Sequence, residues 1–283
     1  MAERPTYEGI LRDVAEAGEG LVEVERRGDV ALVRMNDPAK RNALSAALAV
    51  RLHAALREAA ADPGVRAVVL TGAGGAFSAG GDLRLMTSTA HPLVDEGPEG
   101  AADVWRWIRY QFGGVVRAIV QSDKIFVAAV GGPAAGVGLA FALACDVVVA
   151  SEAARFVLAF GPLGLVPEVG TSWLLTRRLG YHATLALYLS GRHLDAAEAS
   201  RLGLVSEITA PGAEVERALA ACERMRSLPA HALAMTKPLL RAVSDMSWQH
   251  ALAMEEFAEP ICFTTDAHRE GVRAVARRVS KGP

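Results

Sequence analysis

The sequence predicts an α/β fold: parallel strands joined by crossover helices, followed by an all-helical end. Three observations carry this. Short apolar runs at 67–70, 125–130 and 146–150 alternate with stretches of helical spacing, the order that crossover connections require. After about residue 212 the pattern is helical only, over 213–228, 230–243, 247–262 and 266–279. Apolar residues make up 51% of the 283, with a formal net charge of −2. That composition supplies a large core and excludes global disorder.

Residues 1–20 are polar and rich in Glu and Gly, and read as a tail. Residues 21–26 alternate apolar and polar with period two, the signature of a half-buried strand. Gly28-Asp29 turns the chain, and 30–35 is the returning strand. From Leu44 the spacing of Leu48, Leu52, Leu56 and Ala59 is helical, and Asp62-Pro63-Gly64 ends that helix. The apolar strand at 68–70 then runs into a first glycine loop, Ala76-Phe77-Ser78-Ala79-Gly80-Gly81-Asp82-Leu83.

Residues 84–104 are mixed and polar, with His91-Pro92 and Gly97-Pro98, and are expected to be mobile. If they form a lid, Asp95, Glu99 or Asp103 could reach a site. Trp105, Ile108, Phe112, Val115, Val116 and Ile119 share one helical stripe and read as core. The strand at 125–130 leads into a second glycine loop, Gly131-Gly132-Pro133-Ala134-Ala135-Gly136-Val137-Gly138. That loop opens the apolar helical stretch 139–144, which places its free N–H groups at a positive helix end. Two such loops facing each other can hold a developing oxyanion between two backbone N–H groups. The expected organisation is a tail (1–20), an α/β core (21–211) and a helical oligomerisation region (212–283).

Several function classes fall away. The two loops lack both the G-x-G-x-x-G dinucleotide spacing with its distal acid and the phosphate-cradling G-x-x-x-x-G-K-[ST]. Ala76–Gly80 only approximates a G-x-S-x-G nucleophile elbow, with alanine first and no clear helix after it. Three distant cysteines and seven histidines show no metal-ligand spacing. The balanced charge argues against nucleic acid, and no apolar run is long enough for a membrane span. With no signal-peptide pattern at the N-terminus, the expected location is cytoplasmic.

Taken together, the two loops resemble those of the crotonase (enoyl-CoA hydratase/isomerase) superfamily. The segment Asn36-Asp37-Pro38-Ala39-Lys40-Arg41-Asn42-Ala43-Leu44 resembles that family's first CoA-contact segment. Residues 76–83 resemble its A-F-S-A-G-x-D-L loop, and 128–150 the block ending in C-D-x-x-x-A. Residues 156–180 and the A-x-E-A-x-x-x-G-L-V pattern at 196–205 continue the match, which covers roughly 22–275.

The resemblance implies a crotonase-like ββα spiral core with a C-terminal all-helical trimerisation region. It implies an acyl-CoA thioester substrate, with no cofactor beyond the coenzyme A of that substrate, and a homotrimer or a dimer of trimers. Gly81 and Val137 fall where the family places its two oxyanion N–H donors. Arg41, Ala43, Asp82, Leu83 and Arg84 fall where it lines the CoA site. Lys40 and Arg41 suit phosphates, or form a solvated pair.

The departures from the pattern are informative. Hydratases of this family use two glutamates on water, and those positions hold Ala140 and Phe160 here. One acid stands where other members place a catalytic carboxylate, Glu168 in Val166-Pro167-Glu168-Val169-Gly170. Leu165, Val166 and Val169 would give it an apolar setting that disfavours the ionised form. One carboxylate suffices for a double-bond shift, with Phe160 at the substrate keeping water out. The bland alternative is an exposed acid at a helix N-terminus. Two further readings are a hydratase with atypical groups and a catalytically silent member that binds CoA esters or RNA.

Overall fold

A computed structural model describes residues 11, 14, 16–86 and 98–280. Strands β1 (Val22–Arg27) and β2 (Val30–Met35) form an antiparallel hairpin, with Val22 opposite Met35. Gly28 turns it at φ 65°, a conformation open to glycine. Strands β3 (Ala67–Gly72) and β4 (Ile125–Val130) follow in parallel, Leu70 beside Ala128. Strands β5 (Pro133–Ala135), β6 (Val147–Ser151), β7 (Arg155–Val157), β8 (His193–Asp195) and β9 (Glu207–Thr209) complete the set. The large sheet runs β1-β2-β3-β4-β6-β9, and β5-β7-β8 form a small second sheet. Apart from β1, every strand of the large sheet pairs in parallel, so its central strands are covered on both faces.

The helix Ala46–Ala61 starts where Ser45 accepts the Leu48 N–H at 3.2 Å. It buries Leu48, Leu52 and Leu56, each contributing about 1.5–3 kcal/mol by leaving water. The glycine loops meet at the other end of β3 and β4, where a parallel sheet presents its C-terminal strand ends. All eight residues of the helix Val137–Ala144 are buried, so the second loop is anchored to an element held on every side.

The expected stripe over 105–119 needs correction. Trp105 is 56% exposed and Trp107 is 4% exposed. The cause is a π turn at Ile108–Phe112 between the helices Pro98–Trp107 and Gly113–Val120. Its wider turn adds one residue, so residues before it advance one position in phase. Trp107 therefore takes the buried place, while Phe112, Val115 and Ile119 keep theirs. The segment 84–104, read as mixed and polar, contains part of a 3-10 turn at Leu83–Met86 and most of the helix Pro98–Trp107. Residues 87–97, Asp95 among them, lie outside the described residues.

The chain divides into two compact units, one through Cys222 and one from Glu223. The second unit holds the helices Ala230–Ala242, Trp248–Phe263 and Asp266–Val279. Leu240, Trp248, Phe257 and Val279 of that unit are exposed. No helix among the described residues is long and apolar enough to cross a membrane.

Candidate active site

One wall of the site is built from backbone held by buried side chains. Arg41 and Asn42 both take left-handed backbone, at φ 52° and 54°. Asn42 is fully buried and acts as a hub. Its Nδ2 donates to the carbonyls of Ala73 (2.9 Å) and Ala76 (2.8 Å), and its Oδ1 accepts the Asp37 N–H (2.9 Å). The Ser78 hydroxyl donates to the Asn42 carbonyl (2.8 Å) and accepts the Gly80 N–H (3.2 Å). The first glycine loop is thus locked to the 41–44 segment.

On that edge Leu44 N–H donates to Gly80 O (2.7 Å) and Asp82 N–H to Leu44 O (3.2 Å). In such a parallel bridge the intervening residue, Gly81, turns its own N–H the other way. The loop's opposite edge meets β5: Ala135 N–H donates to Ser78 O at 2.9 Å. Gly138 lies under Ser78, where an added Cβ would stand 2.6 Å from the Ser78 Cβ.

Gly136 (φ 51°, ψ −120°) turns the chain so that Val137 opens the helix Val137–Ala144. A first helical residue has no intrahelical acceptor for its N–H. Among the described residues neither the Gly81 N–H nor the Val137 N–H has an acceptor.

Both donors line a cavity of about 340 Å³. Lys40, Arg41 and Ala43 border it on one side, with Asp82 and Leu83 beside Gly81. Phe160, Leu163, Leu165 and Glu168 line it as well. The fold therefore brings together Gly81, Val137, Arg41, Ala43, Asp82, Leu83, Phe160 and Glu168 from five separate stretches of chain.

Arg84, expected beside them, does not line the cavity. The Leu85 N–H closes a turn on Asp82 O (2.9 Å), and the Arg84 guanidinium folds onto the Asp82 carboxylate, Nη2 to Oδ2 at 2.5 Å. That bond holds the Asp82 carboxyl below its ordinary range.

The second wall is different in kind. From Phe160 the chain makes a 3-10 turn, Gly161–Leu163, and a left-handed Gly164. Val169 has φ 46° and Gly170 φ 87°. A β-branched residue at positive φ is strained, at a cost of order 1–3 kcal/mol. The Glu168 carbonyl accepts both the N–H (2.9 Å) and the hydroxyl (2.7 Å) of buried Thr171. These bonds fix the backbone around the turn, and the Glu168 side chain lies half-buried against the cavity. Burial pushes its carboxyl up to about 7.

The expected apolar setting of Glu168 is corrected in part. Leu165 lines the cavity, but Val166 is 76% exposed and Val169 is absent from the lining. Phe160, Leu163 and Ala159 line the cavity beside it. Phe160 is buried at the cavity, and Ala140 is buried in the helix behind Val137.

The family model for enoyl-CoA hydratase/isomerase matches residues 25–280. The chain belongs to that family. A Thermus thermophilus relative with a provisional enoyl-CoA hydratase name is 38% identical over 254 residues, 90% of this chain and 96% of its own. The 1,2-epoxyphenylacetyl-CoA isomerase of Escherichia coli is 29% identical, covering 87% of this chain and 91% of its own. The crystal structure of an enoyl-CoA hydratase/isomerase from Cupriavidus metallidurans superposes with a TM-score of 0.83, at 33% identity over 92% of this chain and 94% of that one. The expected crotonase fold is the fold of this family.

Sequence reasoning missed three residues of this enoyl-CoA hydratase/isomerase family site. Asn42 and Ser78 carry the polar bonds of the donor wall. Asn42 had one legible signal, since asparagine is enriched in left-handed backbone. Ser78 had none, because its partners are distant in sequence. Val169 gave no signal of strain, which depends on where its neighbours are fixed. Of the acids considered in 84–104, Asp103 pairs with Arg106 at 2.8 Å, and the Glu99 side chain lies outside the described residues.

Proposed function

We propose that this protein transforms acyl-CoA thioesters by moving a double bond through a thioester enolate. The observation that carries the reading is the meeting of two unpaired backbone donors, Gly81 and Val137, with one carboxyl raised to about 7 in a single small cavity. Lys40 and Arg41 at its rim would bind phosphates of coenzyme A, supplying binding energy remote from the reacting carbon. The assembly proposed with it is a trimer or hexamer, supported by the apolar residues exposed on the C-terminal helices.

Starting from a 3-enoyl-CoA, the Glu168 carboxylate takes a proton from C2. The electron pair left behind enters the C1–C2 bond, and negative charge collects on the thioester oxygen. Two preorganised N–H donors stabilise that oxygen; loss of one such donor costs about 3 kcal/mol of barrier in comparable sites. The protonated Glu168 then returns its proton to C4, and the double bond closes between C2 and C3. No water enters, and Phe160 fills space beside the carboxyl. A base near neutrality serves both half-reactions.

Hydration is the second reading, favoured by the hydratase name of the Thermus thermophilus relative. It would require Glu168 to activate water alone, since Ala140 and Phe160 offer no carboxylate. Purified protein given 3-enoyl-CoA and 2-enoyl-CoA in heavy water separates the two. A shifted double bond with no mass of water added supports isomerisation, and direct return of the proton by Glu168 keeps deuterium incorporation below one atom per turnover. A hydrated product sinks it.

A further inference from the structure

A second cavity lies in the groove between the helices Ala46–Ala61 and Gly113–Val120, away from the candidate active site. It is open because the facing positions are small. Ala60, Gly114 and Ala118 leave a volume of about 810 Å³. His53 and Arg57 enter it one turn apart from the first helix, and Arg117 faces them from the second. The His53 ring rests directly on Gly114, where a Cβ would meet it at 2.5 Å. Gln111 is delivered by the π turn Ile108–Phe112 and hydrogen-bonds the His53 ring while itself buried. Wide turns of this kind recur at functional sites.

The charges around the groove are one-sided. Burial, and secondarily the nearby Arg57 and Arg117 charges, push the imidazole below its ordinary value, against the Gln111 bond. Among the described residues Arg57 has no carboxylate partner. Arg117 donates only to the backbone carbonyl of Arg109. Asp123, the acid of the lining, is engaged by Lys124 Nζ at 3.3 Å. Two exposed guanidiniums thus line a donor-rich cavity in which, among the described residues, Asp123 is the one carboxylate and pairs with Lys124 rather than with either of them. Guanidinium forks match phosphate oxygens in geometry as well as charge.

We propose that this groove binds a phosphate-bearing small molecule, its phosphate clamped by Arg57 and Arg117 above the His53–Gln111 pair. The test uses the full chain and pyrophosphate as probe, with the His53 ring proton followed by NMR and assigned by its loss in His53→Gln. This local signal separates the groove from Lys40 and Arg41 at the other cavity. The expected result is a saturating shift at millimolar pyrophosphate, retained in Arg41→Ala and weakened about tenfold or more in Arg57→Ala/Arg117→Ala. Both arginines are exposed, so the double variant keeps its fold. A shift that fails to saturate, that chloride reproduces at equal ionic strength, or that survives the double variant overturns the proposal.

Discussion

The two walls of the cavity are built by opposite means. The donor wall presents backbone N–H groups, and everything that positions them is buried: Asn42, Ser78, Phe77 and the helix Val137–Ala144. The wall carrying Glu168 presents a side chain from a surface segment whose neighbours Leu163, Leu165 and Val166 are exposed. The contrast has a physical reason. A backbone donor can be aimed only by fixing the chain itself, so the pair of donors is inseparable from the core. A carboxyl can be replaced without touching that core, so the acid of the cavity sits where substitution is cheap.

Glu168→Gln tests the second wall most strongly. Turnover is expected to fall about 10²–10⁴-fold while CoA-ester binding persists. The same change is expected to stabilise the protein at pH 8. The Glu168 carboxyl is raised from 4.5 to about 7 in the fold, so its contribution to stability is full below pH 4.5 and lost as pH rises through 7. Glutamine cannot ionise and escapes that loss, worth up to about 3 kcal/mol. Denaturant midpoints of both proteins at pH 5 and pH 8 check the sign. In the wild type, kcat/KM is expected to rise with pH around 7, as the base ionises.

Asn42→Ala is the counterpart in the donor wall. It strands two carbonyls and one N–H in the interior, and is expected to cost about 3 kcal/mol or more together with most activity. Unchanged stability in urea would break the comparison. Gly138→Ala is a milder version. Its methyl group collides with Ser78, with an expected cost of about 1–3 kcal/mol and a partial loss of turnover.

Val169→Gly has the smallest expected effect. Glycine takes φ 46° without strain and is expected to add of order 1 kcal/mol to stability. Turnover should fall several-fold with KM unchanged, because the turn that aims Glu168 loosens. A gain in both stability and kcat would mean the strain positions nothing.

Much of this was legible in the sequence because its signals are local. Period-two alternation marked β1 and β2, apolar runs marked β3, β4 and β6, and the glycine loops marked the two stretches that carry the backbone donors Gly81 and Val137. The Trp105 assignment failed because the π turn shifts helical phase, and no residue at 108–112 announces it. The Arg84 side chain was not legible, because its pairing with Asp82 is a matter of local folding.

The sequence by itself determined strands β1 to β4 and β6, the helix after Ser45 and the helical C-terminal end, the family, and the absence of carboxylates at 140 and 160. These follow from residue type and spacing along one chain. Only the tertiary structure decided that Gly81, Val137 and Glu168 face one volume, that Asn42 and Ser78 hold the first two there, and that Glu168 is drawn toward neutrality. Each depends on which distant backbone comes to lie alongside, and on how much water that approach excludes.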